Sequence, residues 1–353
     1  MYVGDYLARR CVYTPDKTAV IQWHHDRRVC FTYRQLDERA NRLADWLRGQ
    51  GIEKGDRVGM LALDGVHFYD LFFACCKIGA IFVPYNWRLH PEELADQLRL
   101  TSPRLLFHDL EQPNTEILPE LTRRIDMPRS VPWPATEEGS LPEDLAAATG
   151  KPVTCEDLTE TDTACLLFTG GTTGKAKAAQ ISHRQIVWNT FNALLADVLG
   201  TDTYLNIFPL FHAGGLFAFS VPLLLLGGTV VQVQKFDAPA VLSLIEAEKV
   251  TIFAGVPTTF QLLAEAPNWE EADLGTLRYC LSGGAPLPVT LVRKYQKEKG
   301  VVFRQGFGMT EFGPDVFSLR GRCGTQGRLH RQAQFLRRRA RGAPGGQHTA
   351  SSE

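Results

Sequence analysis

The residues with the clearest chemical potential lie in one short stretch, residues 166–177, which reads LLFTGGTTGKAK. An apolar run typical of a buried strand is followed by a loop of glycines and hydroxyl residues: Thr169, Gly170, Gly171, Thr172, Thr173 and Gly174. Glycines tolerate positive φ and leave backbone N–H groups accessible, so the loop can bend around an anion. Lys175 and Lys177 add mobile positive charge. The stretch, with a helical pattern after it, predicts a clamp for a polyphosphate such as that of ATP.

Two other interpretations of this loop compete with the clamp. A loop of this composition between two elements is often no more than a turn. The P-loop pattern Gly-x-x-x-x-Gly-Lys-Ser/Thr does not fit, because Lys175 stands five positions after Gly170 and Ala176 follows Gly174-Lys175. The sequence therefore disfavours a P-loop nucleotide-binding protein.

Three later segments carry further candidate residues. Residues 208–216 read FPLFHAGGL, and spacing alone favours a structural role for His212. Residues 281–286 read LSGGAP and repeat the order of strand and glycine loop, and residues 305–311 read QGFGMTE after a short predicted strand. Loops at the carboxyl ends of strands in an open α/β sheet can face one pocket. These segments are thus expected to share a site with the clamp.

The elements that must position these residues alternate along the chain. Apolar runs predict strands at residues 58–63, 81–83, 105–108, 166–168, 204–208, 229–233, 251–254, 277–281 and 301–303. Helical spacing predicts helices at residues 36–47, 66–78, 91–100, 186–199, 239–249, 257–266 and 288–299, the first opened by a capping box at Thr32 and Gln35. This alternation predicts an α/β protein with mostly parallel sheets flanked by helices.

The predicted organisation has three parts. Residues 1–160 form a first α/β subdomain, and a proline-rich connection over residues 111–162 leads from it into the second unit. Residues 161–319 form a second α/β subdomain with the nucleotide-binding loops. Residues 320–353 form an Arg/Gly-rich tail, which is expected to be disordered or to derive from a shifted reading frame.

The stretch from Phe168 to Lys177 resembles the phosphate-binding signature of the adenylate-forming superfamily: acyl-CoA synthetases, peptide-synthetase adenylation domains and luciferases. It departs from that signature at Gly170, Ala176 and Ala178. The later segments recur in the order typical of the superfamily, and the resemblance extends over about residues 5–319. It implies two stacked α/β subdomains, as in the large N-terminal domain of these enzymes.

The resemblance also implies roles for individual residues. The adenine would be lined by Gly283, Gly284 and Ala285 and would pack on the ring of Phe307, which replaces the usual tyrosine and precedes Gly308. Thr310 would bond the α-phosphate, and Glu311 with Thr172 would hold Mg²⁺, which prefers oxygen ligands. The catalytic candidates are Lys177, Thr310 and Glu311. The candidates for the acyl pocket are His212, Gly214 and Gly215.

The implied activity is that of an ATP-dependent carboxylic acid–CoA ligase, which forms an acyl-AMP and then an acyl-CoA. A fatty acid is the first choice of substrate, because residues 210–226 are apolar and contain no aspartate that could pair with a substrate ammonium. Two alternatives remain open: another adenylating enzyme, such as an aryl-acid ligase or a luciferase-like oxidase, and an inactive nucleotide- or acyl-binding remnant.

The composition indicates which partners and which cellular location to expect. The 353 residues are 44% hydrophobic and 22% charged, with a net charge of −1, which gives no reason to expect a nucleic-acid partner. No secretory signal or membrane-spanning run is visible, and the eight cysteines show no C-x-x-C spacing, so a cytoplasmic protein is expected. The sequence leaves the oligomeric state open.

The tail differs in composition from the rest. From Arg320 onward the chain has eight arginines, no lysine and a single acid, Glu353, so that residues 1–319 carry 30 basic and 38 acidic residues. A nucleic-acid-binding arm is disfavoured because Phe335 is the one aromatic residue there. The superfamily uses a downstream aspartate for the ribose and a lysine from a C-terminal domain, and no segment here resembles either. Weak adenylate binding with little thioester formation is therefore expected.

Overall fold

The computed structural model describes residues 2–24, 27–109, 114–133, 141–169, 177–313 and 315–320. The predicted clamp residues Gly170, Gly171, Thr172, Thr173 and Gly174 lie outside these ranges, and so does the predicted tail beyond Arg320. Within these ranges, no helix combines the length and the apolar character needed to cross a membrane.

Strands and helices alternate along most of the described chain. The strands are β1 (Thr18–His24), β2 (Arg27–Thr32), β3 (Arg57–Leu61), β4 (Ile81–Pro84), β5 (Leu105–His108), β6 (Arg129–Pro132), β7 (Thr163–Thr169), β8 (Lys177–Ser182), β9 (Thr203–Asn206), β10 (Thr229–Val233), β11 (Ile252–Gly255), β12 (Tyr279–Ser282), β13 (Phe303–Gly308) and β14 (Asp315–Arg320). The helices are α1 (Val3–Tyr13), α2 (Tyr33–Gly49), α3 (Val66–Ile78), α4 (Pro91–Thr101), α5 (Asn114–Thr122), α6 (Glu143–Ala146), α7 (His183–Leu195), α8 (Ala213–Gly215), α9 (Val221–Leu226), α10 (Ala238–Ala247), α11 (Pro257–Ala264) and α12 (Val289–Lys299). A π-helical turn, Leu216–Ser220, precedes α9, and a 3₁₀ turn, Thr310–Phe312, follows β13.

The strands form two mostly parallel sheets. The first has six strands in the order β6-β5-β3-β4-β7-β8, and its one antiparallel pair is β7–β8. The second has eight strands in the order β14-β13-β12-β11-β9-β10-β1-β2, with antiparallel pairs at its two ends. Parallel strands place their carboxyl ends along one edge, where ligand-binding loops gather in such folds.

Helices cover both faces of each sheet. Side chains alternate between the two faces of a strand, so neighbouring residues of β9 pack in different hydrophobic cores. Tyr204 packs in the core between the sheets, and Leu205 packs in a core on the outer face. The central core lies between the sheets and contains α1, α2, α3, α7 and α9. Helices α10, α11 and α12 cover the outer face of the eight-stranded sheet, and α4 and α5 that of the six-stranded sheet. The predicted fold of two stacked α/β units is confirmed.

Several local predictions hold because their signals are local. Every residue of α3 is buried in the central layer, which explains why its sequence is apolar nearly all round. At the start of α2, Thr32 Oγ1 accepts the backbone N–H of Gln35, and Gln35 Oε1 accepts that of Thr32. This reciprocal pair satisfies two donors that a helix start otherwise leaves free.

Two local predictions are wrong in part. The sequence predicts a strand, a loop and then a helix around the clamp, but the structure places strand β8 between the loop and α7, with Thr169 opposite Lys177. The clamp residues therefore connect the two strands of a hairpin. Residues 177–182 form a strand rather than the start of the helix because their backbone groups pair with β7. The region predicted as an irregular connection, residues 111–162, contains α5, β6 and α6 in its described part, and β6 pairs with β5.

The two sheets do not divide the chain at residue 160. Strands β7 and β8, which flank the clamp, belong to the six-stranded sheet, and β1 and β2 belong to the eight-stranded sheet. Val20 in β1 pairs with Val230 in β10, more than two hundred positions later. The predicted boundary between residues 160 and 161 thus does not coincide with the division into sheets, since pairing between distant strands leaves no local signal.

Candidate functional site

Three of the predicted segments follow strands of the eight-stranded sheet at its carboxyl edge. Gly283, Gly284 and Ala285 follow β12, the 3₁₀ turn follows β13, and the segment around His212 follows β9. Strands β12 and β13 are neighbours, with Ser282 opposite Gln305, and β11 separates β12 from β9. The sheet order therefore brings these segments to one edge, as expected from their positions after strands.

The Gly-Gly-Ala loop is tied to the strands on both sides of it. The N–H of Gly283 donates to the carbonyl of Gly255 at 3.2 Å, and Gln305 Nε2 donates to the carbonyl of Ala285 at 3.3 Å. Gly284 has a φ of +76°, a conformation that favours glycine. The loop exposes Gly284 and Ala285 next to β13, which carries the half-buried Phe307. A bare backbone surface beside an aromatic ring suits a planar base.

The 3₁₀ turn lies against the hairpin that carries the clamp. Gln185, at the start of α7, donates from Nε2 to the carbonyl of Glu311 at 3.1 Å. The same side chain closes a capping box with Ser182, the last residue of β8. The turn also contacts β8 itself. The turn with Thr310 and Glu311 is therefore adjacent to the hairpin. Its bond to Gln185 lies beside Ser182, whereas Thr169 and Lys177 pair at the loop end of the same hairpin.

The residues proposed to hold a metal are only partly described. The carboxylate of Glu311 is exposed at the sheet edge, and Thr172 lies outside the described residues. Mg²⁺ in nucleotide sites is usually held by one or two carboxylates together with phosphate oxygens and waters, so Glu311 fits this role. The part of the chain that the structure describes contains no group of three or more His, Cys, Asp or Glu side chains able to hold a metal. A cage made by protein ligands alone is therefore not found there.

The His212 segment, residues 208–215, forms a compact turn. His212 Nδ1 accepts the N–H of Gly214 at 3.4 Å and so caps the short helix α8. The ring reaches solvent, yet the surrounding groups dehydrate it enough to lower its pKa, which favours the neutral imidazole. The described contacts thus give His212 a capping role, and its place in an acyl pocket stays a prediction.

Sequence reasoning missed the side chains that hold this segment in place. Asp64 Oδ1 accepts the N–H of Leu210 at 2.8 Å, and Ser220 Oγ donates to the carbonyl of Gly215 at 2.7 Å. In the π-helical turn that follows, the carbonyl of Phe217 accepts from Asn189 Nδ2 at 2.6 Å. Asp64 could have been found, because it is a polar residue directly after a predicted strand. Nothing in the sequence indicates the other two contacts.

Asp64 is also the carboxylate with the clearest perturbation near the site. Burial raises its pKa to about 7, and the N–H of Leu210 and the Arg88 guanidinium act in the opposite direction. The prediction that no aspartate serves this segment considered residues 210–226 alone, whereas Asp64 reaches it from the other sheet. Since Asp64 already holds Leu210 and lies in the field of Arg88, it does not offer a free carboxylate to a substrate ammonium.

The chain is similar to known proteins in sequence and in structure. A family model described as AMP-binding enzyme matches residues 7–335. A feruloyl-CoA synthase from Amycolatopsis is 38% identical over 319 residues, which cover 90% of this chain and 61% of that protein. The long-chain-fatty-acid–CoA ligase FadD13 from Mycobacterium tuberculosis is 32% identical over 315 residues, covering 88% of this chain and 60% of that protein. The chain thus spans about three fifths of the length of these relatives.

A solved structure agrees with the fold described above. The inhibitor-bound N-terminal domain of FACL13 from Mycobacterium tuberculosis has a TM-score of 0.80 and 29% sequence identity, covering 88% of this chain and 77% of that domain. Its similarity extends over both sheets rather than one, given the share of the chain that is covered.

Proposed function

The chain belongs to the family of AMP-binding enzymes, and from this premise we propose that it forms the nucleotide- and acyl-binding part of an ATP-dependent acid–CoA ligase. In that reaction a carboxylate oxygen attacks the α-phosphorus of ATP, pyrophosphate leaves, and the CoA thiol then displaces AMP from the acyl carbon. The observation that carries the proposal is the hydrogen bond from Gln185 to the carbonyl of Glu311. It supports one site built from the hairpin and from the loops after β12 and β13.

The residues at this edge have distinct roles in the proposal. Gly283, Gly284 and Ala285 form one wall of the adenine site, and the ring of Phe307 packs on the base. Lys177 brings a positive charge to the phosphates, and the hydroxyl of Thr310 donates to the α-phosphate. Mg²⁺, when bound, neutralises phosphate charge, and Glu311 is the described residue that would hold it.

We propose an aromatic carboxylic acid as the substrate class. The 38% identity to a feruloyl-CoA synthase supports this choice. The core beneath the His212 segment is filled by rings, with Phe72 and Phe217 at 5.5 Å and Tyr204 and Phe219 at 5.0 Å between centroids. A core filled in this way favours a short, flat acyl group over a long chain that would need a deep tunnel.

A fatty acid is the second candidate. The sequence alone favours it as the first choice, and the 32% identity to FadD13 also supports it. Helix α9, which lies within the apolar residues 210–226, is buried over most of its length. A cytoplasmic location remains part of the proposal. It is supported by the seven cysteines of the described chain, all of which are free thiols.

Calorimetry with non-hydrolysable acyl-AMP analogues separates these candidates. The 353-residue chain is titrated with feruloyl and dodecanoyl sulfamoyl adenosine and with AMP alone. We expect the feruloyl analogue to bind at least about tenfold more tightly than the dodecanoyl one, a difference of ~1.4 kcal/mol. The reverse order would replace the aromatic acid by a fatty acid. No heat with either analogue or with AMP would contradict the adenylate site itself.

A further inference from the structure

We propose that Asp64 is a positioning residue that holds the His212 segment over the acyl pocket through the backbone N–H of Leu210. The proposal rests on the proposed function, since the segment lines the acyl pocket only if the chain binds an acyl adenylate. Asp64 touches neither substrate nor phosphate in this account. It acts through the backbone of the segment alone.

The contact joins the two sheets at their carboxyl edges. Asp64 follows β3 of the six-stranded sheet, whereas Leu210 follows β9 of the eight-stranded sheet, 146 positions later. The 2.8 Å bond from the Leu210 N–H to Asp64 Oδ1 has the length of a well-formed hydrogen bond. Leu210 is fully buried, so its N–H would be left without solvent if the carboxyl were removed. Such a loss destabilises the local arrangement.

A charged group that acts on Asp64 also touches the same segment. Arg88, in the connection after β4, stacks over the ring of Phe211 at 5.7 Å and over that of Trp87 at 5.1 Å. Its charge also acts on Asp64. Asp64 thus holds the backbone at Leu210 while Arg88 covers the next side chain, so both residues act on one short part of the segment.

In the part of the chain that the structure describes, the groups that interact with Asp64 come from three elements. They are the Leu210 N–H from the segment, the Arg88 guanidinium from the connection after β4, and the Tyr69 hydroxyl from α3, whose own pKa is raised partly by the charge of Asp64. Arg88 and the N–H favour the ionised carboxyl, and burial favours the protonated one. The effect of burial is the largest of these, and it raises the pKa of Asp64 from its ordinary 3.8 to about 7.

The direction of the pH dependence follows from this shift. If the segment lifts, Asp64 is hydrated and its pKa falls toward 3.8, so the closed segment binds one more proton than the lifted one between about pH 4 and pH 7. The closed arrangement is therefore most stable at low pH, weakens as pH rises to about 7, and is independent of pH above that. One proton allows at most about a tenfold change per pH unit.

Hydrogen exchange of the full chain at pH 5.5, 6.5, 7.5 and 8.5, corrected for intrinsic rates, tests the proposal without any ligand. In the wild type, we expect protection of residues 208–216 to fall between pH 5.5 and 7.5 and then to level off. Asp64→Asn keeps an acceptor oxygen but cannot ionise, so its protection should be independent of pH. Asp64→Ala removes the acceptor, and its segment should be poorly protected at every pH.

Binding measurements on the same proteins link the segment to the acyl group. Asp64→Ala should weaken binding of the acyl-AMP analogue at least fivefold and leave AMP binding unchanged, and Asp64→Asn should restore the acyl affinity. Asp273→Asn is the matched control, because Asp273 also accepts a backbone N–H at 2.8 Å, from Gly275, but in an exposed turn before β12. It should behave like the wild type.

Two results would overturn the role of Asp64: wild-type protection of the segment in Asp64→Ala, or the wild-type pH dependence in Asp64→Asn. If the wild type binds no acyl-AMP analogue, the proposed function fails instead, and the exchange measurement still decides whether Asp64 holds the segment. If Asp64→Ala does not fold, the pH dependence of Asp64→Asn alone decides the question.

Discussion

At the scale of single residues, two neighbouring glycines of the His212 segment differ in the space available for a side chain. A Cβ at Gly215 would lie 2.7 Å from the carbonyl oxygen of Phe208 and closer still to that of Pro209, and both are backbone atoms that cannot turn away. A Cβ at Gly214 would meet nothing nearer than His212 Nδ1 at 3.8 Å. Sequence reasoning grouped these glycines as one pocket feature, because a run of two glycines does not reveal which one is crowded.

These constraints predict different effects of the same substitution. Gly215→Ala should lower the free energy of unfolding by about 1–3 kcal/mol, as overpacking of a tight site does. Gly214→Ala should change it by less than about 0.5 kcal/mol. Urea unfolding of the two variants and the wild type measures both values. Equal destabilisation by the two substitutions would contradict the packing described for the segment.

The adenine role of Phe307 predicts a second residue-level effect. Phe307→Tyr restores the residue usual in the superfamily and should bind AMP like the wild type, whereas Phe307→Ala should bind it about tenfold more weakly because a stacking face is lost. Phe191→Ala removes an aromatic ring that is 45% exposed on α7 and serves as the control. Calorimetry with AMP provides the measurement. An unchanged affinity in Phe307→Ala would place the base elsewhere.

At the scale of elements, Gln185 connects the hairpin, α7 and the 3₁₀ turn. Its carboxamide closes the capping box with Ser182 and donates to the carbonyl of Glu311. The capping box could be predicted from the sequence, because Ser182 and Gln185 have the required spacing. The bond to Glu311 could not, because it joins positions 126 residues apart.

The two functions of Gln185 can be separated by substitution. Gln185→Glu keeps an acceptor for the capping box but loses the donor to Glu311, so it should weaken AMP binding several-fold with little change in stability. Gln185→Ala loses both contacts and should also cost about 1 kcal/mol of stability. Thermal unfolding and AMP calorimetry of both variants test this. Wild-type AMP binding in Gln185→Glu would show that the turn does not depend on this bond.

The same scale shows which elements a sequence can predict. Strands β5 and β10 and helix α3 have the predicted bounds, because buried apolar runs of the right length identify them. The sequence does not indicate strand β8, because KAAQIS contains one large apolar residue, Ile181, and becomes a strand through pairing with β7. Likewise, the contact between the turn after β13 and the hairpin depends on the order of strands in two sheets, which no local pattern encodes.

At the scale of the whole molecule, the central helical layer joins the two sheets and contains a buried ion pair. Arg39 in α2 donates from two nitrogens to Asp70 in α3, at 2.9 and 2.5 Å, and the Asp70 side chain is fully buried. Burial raises the pKa of Asp70, and Arg39 lowers it. A charge in this layer is tolerated only while it is paired.

Removing Arg39 should therefore destabilise the whole fold. Arg39→Ala leaves Asp70 buried without its partner and should cost about 3–5 kcal/mol at neutral pH. Because the folded-state pKa of Asp70 then rises further above its unfolded value, the variant should be most stable at acidic pH and lose stability as pH rises. Arg34→Ala, which breaks an exposed pair with Asp16, should have little effect. Urea unfolding at pH 5 and 7.5 measures the difference, and an effect of Arg39→Ala as small as that of the control would contradict this account.

The central claim is that loops from both sheets form one adenylate site, and a crystal structure of the chain with feruloyl sulfamoyl adenosine tests it most directly. We predict the adenine between Phe307 and the loop of Gly283, Gly284 and Ala285, with the sulfamate near Thr310 and Lys177 and the acyl group along the His212 segment. An adenosine bound away from the loops after β12 and β13, or one that contacts a single sheet alone, would contradict the account.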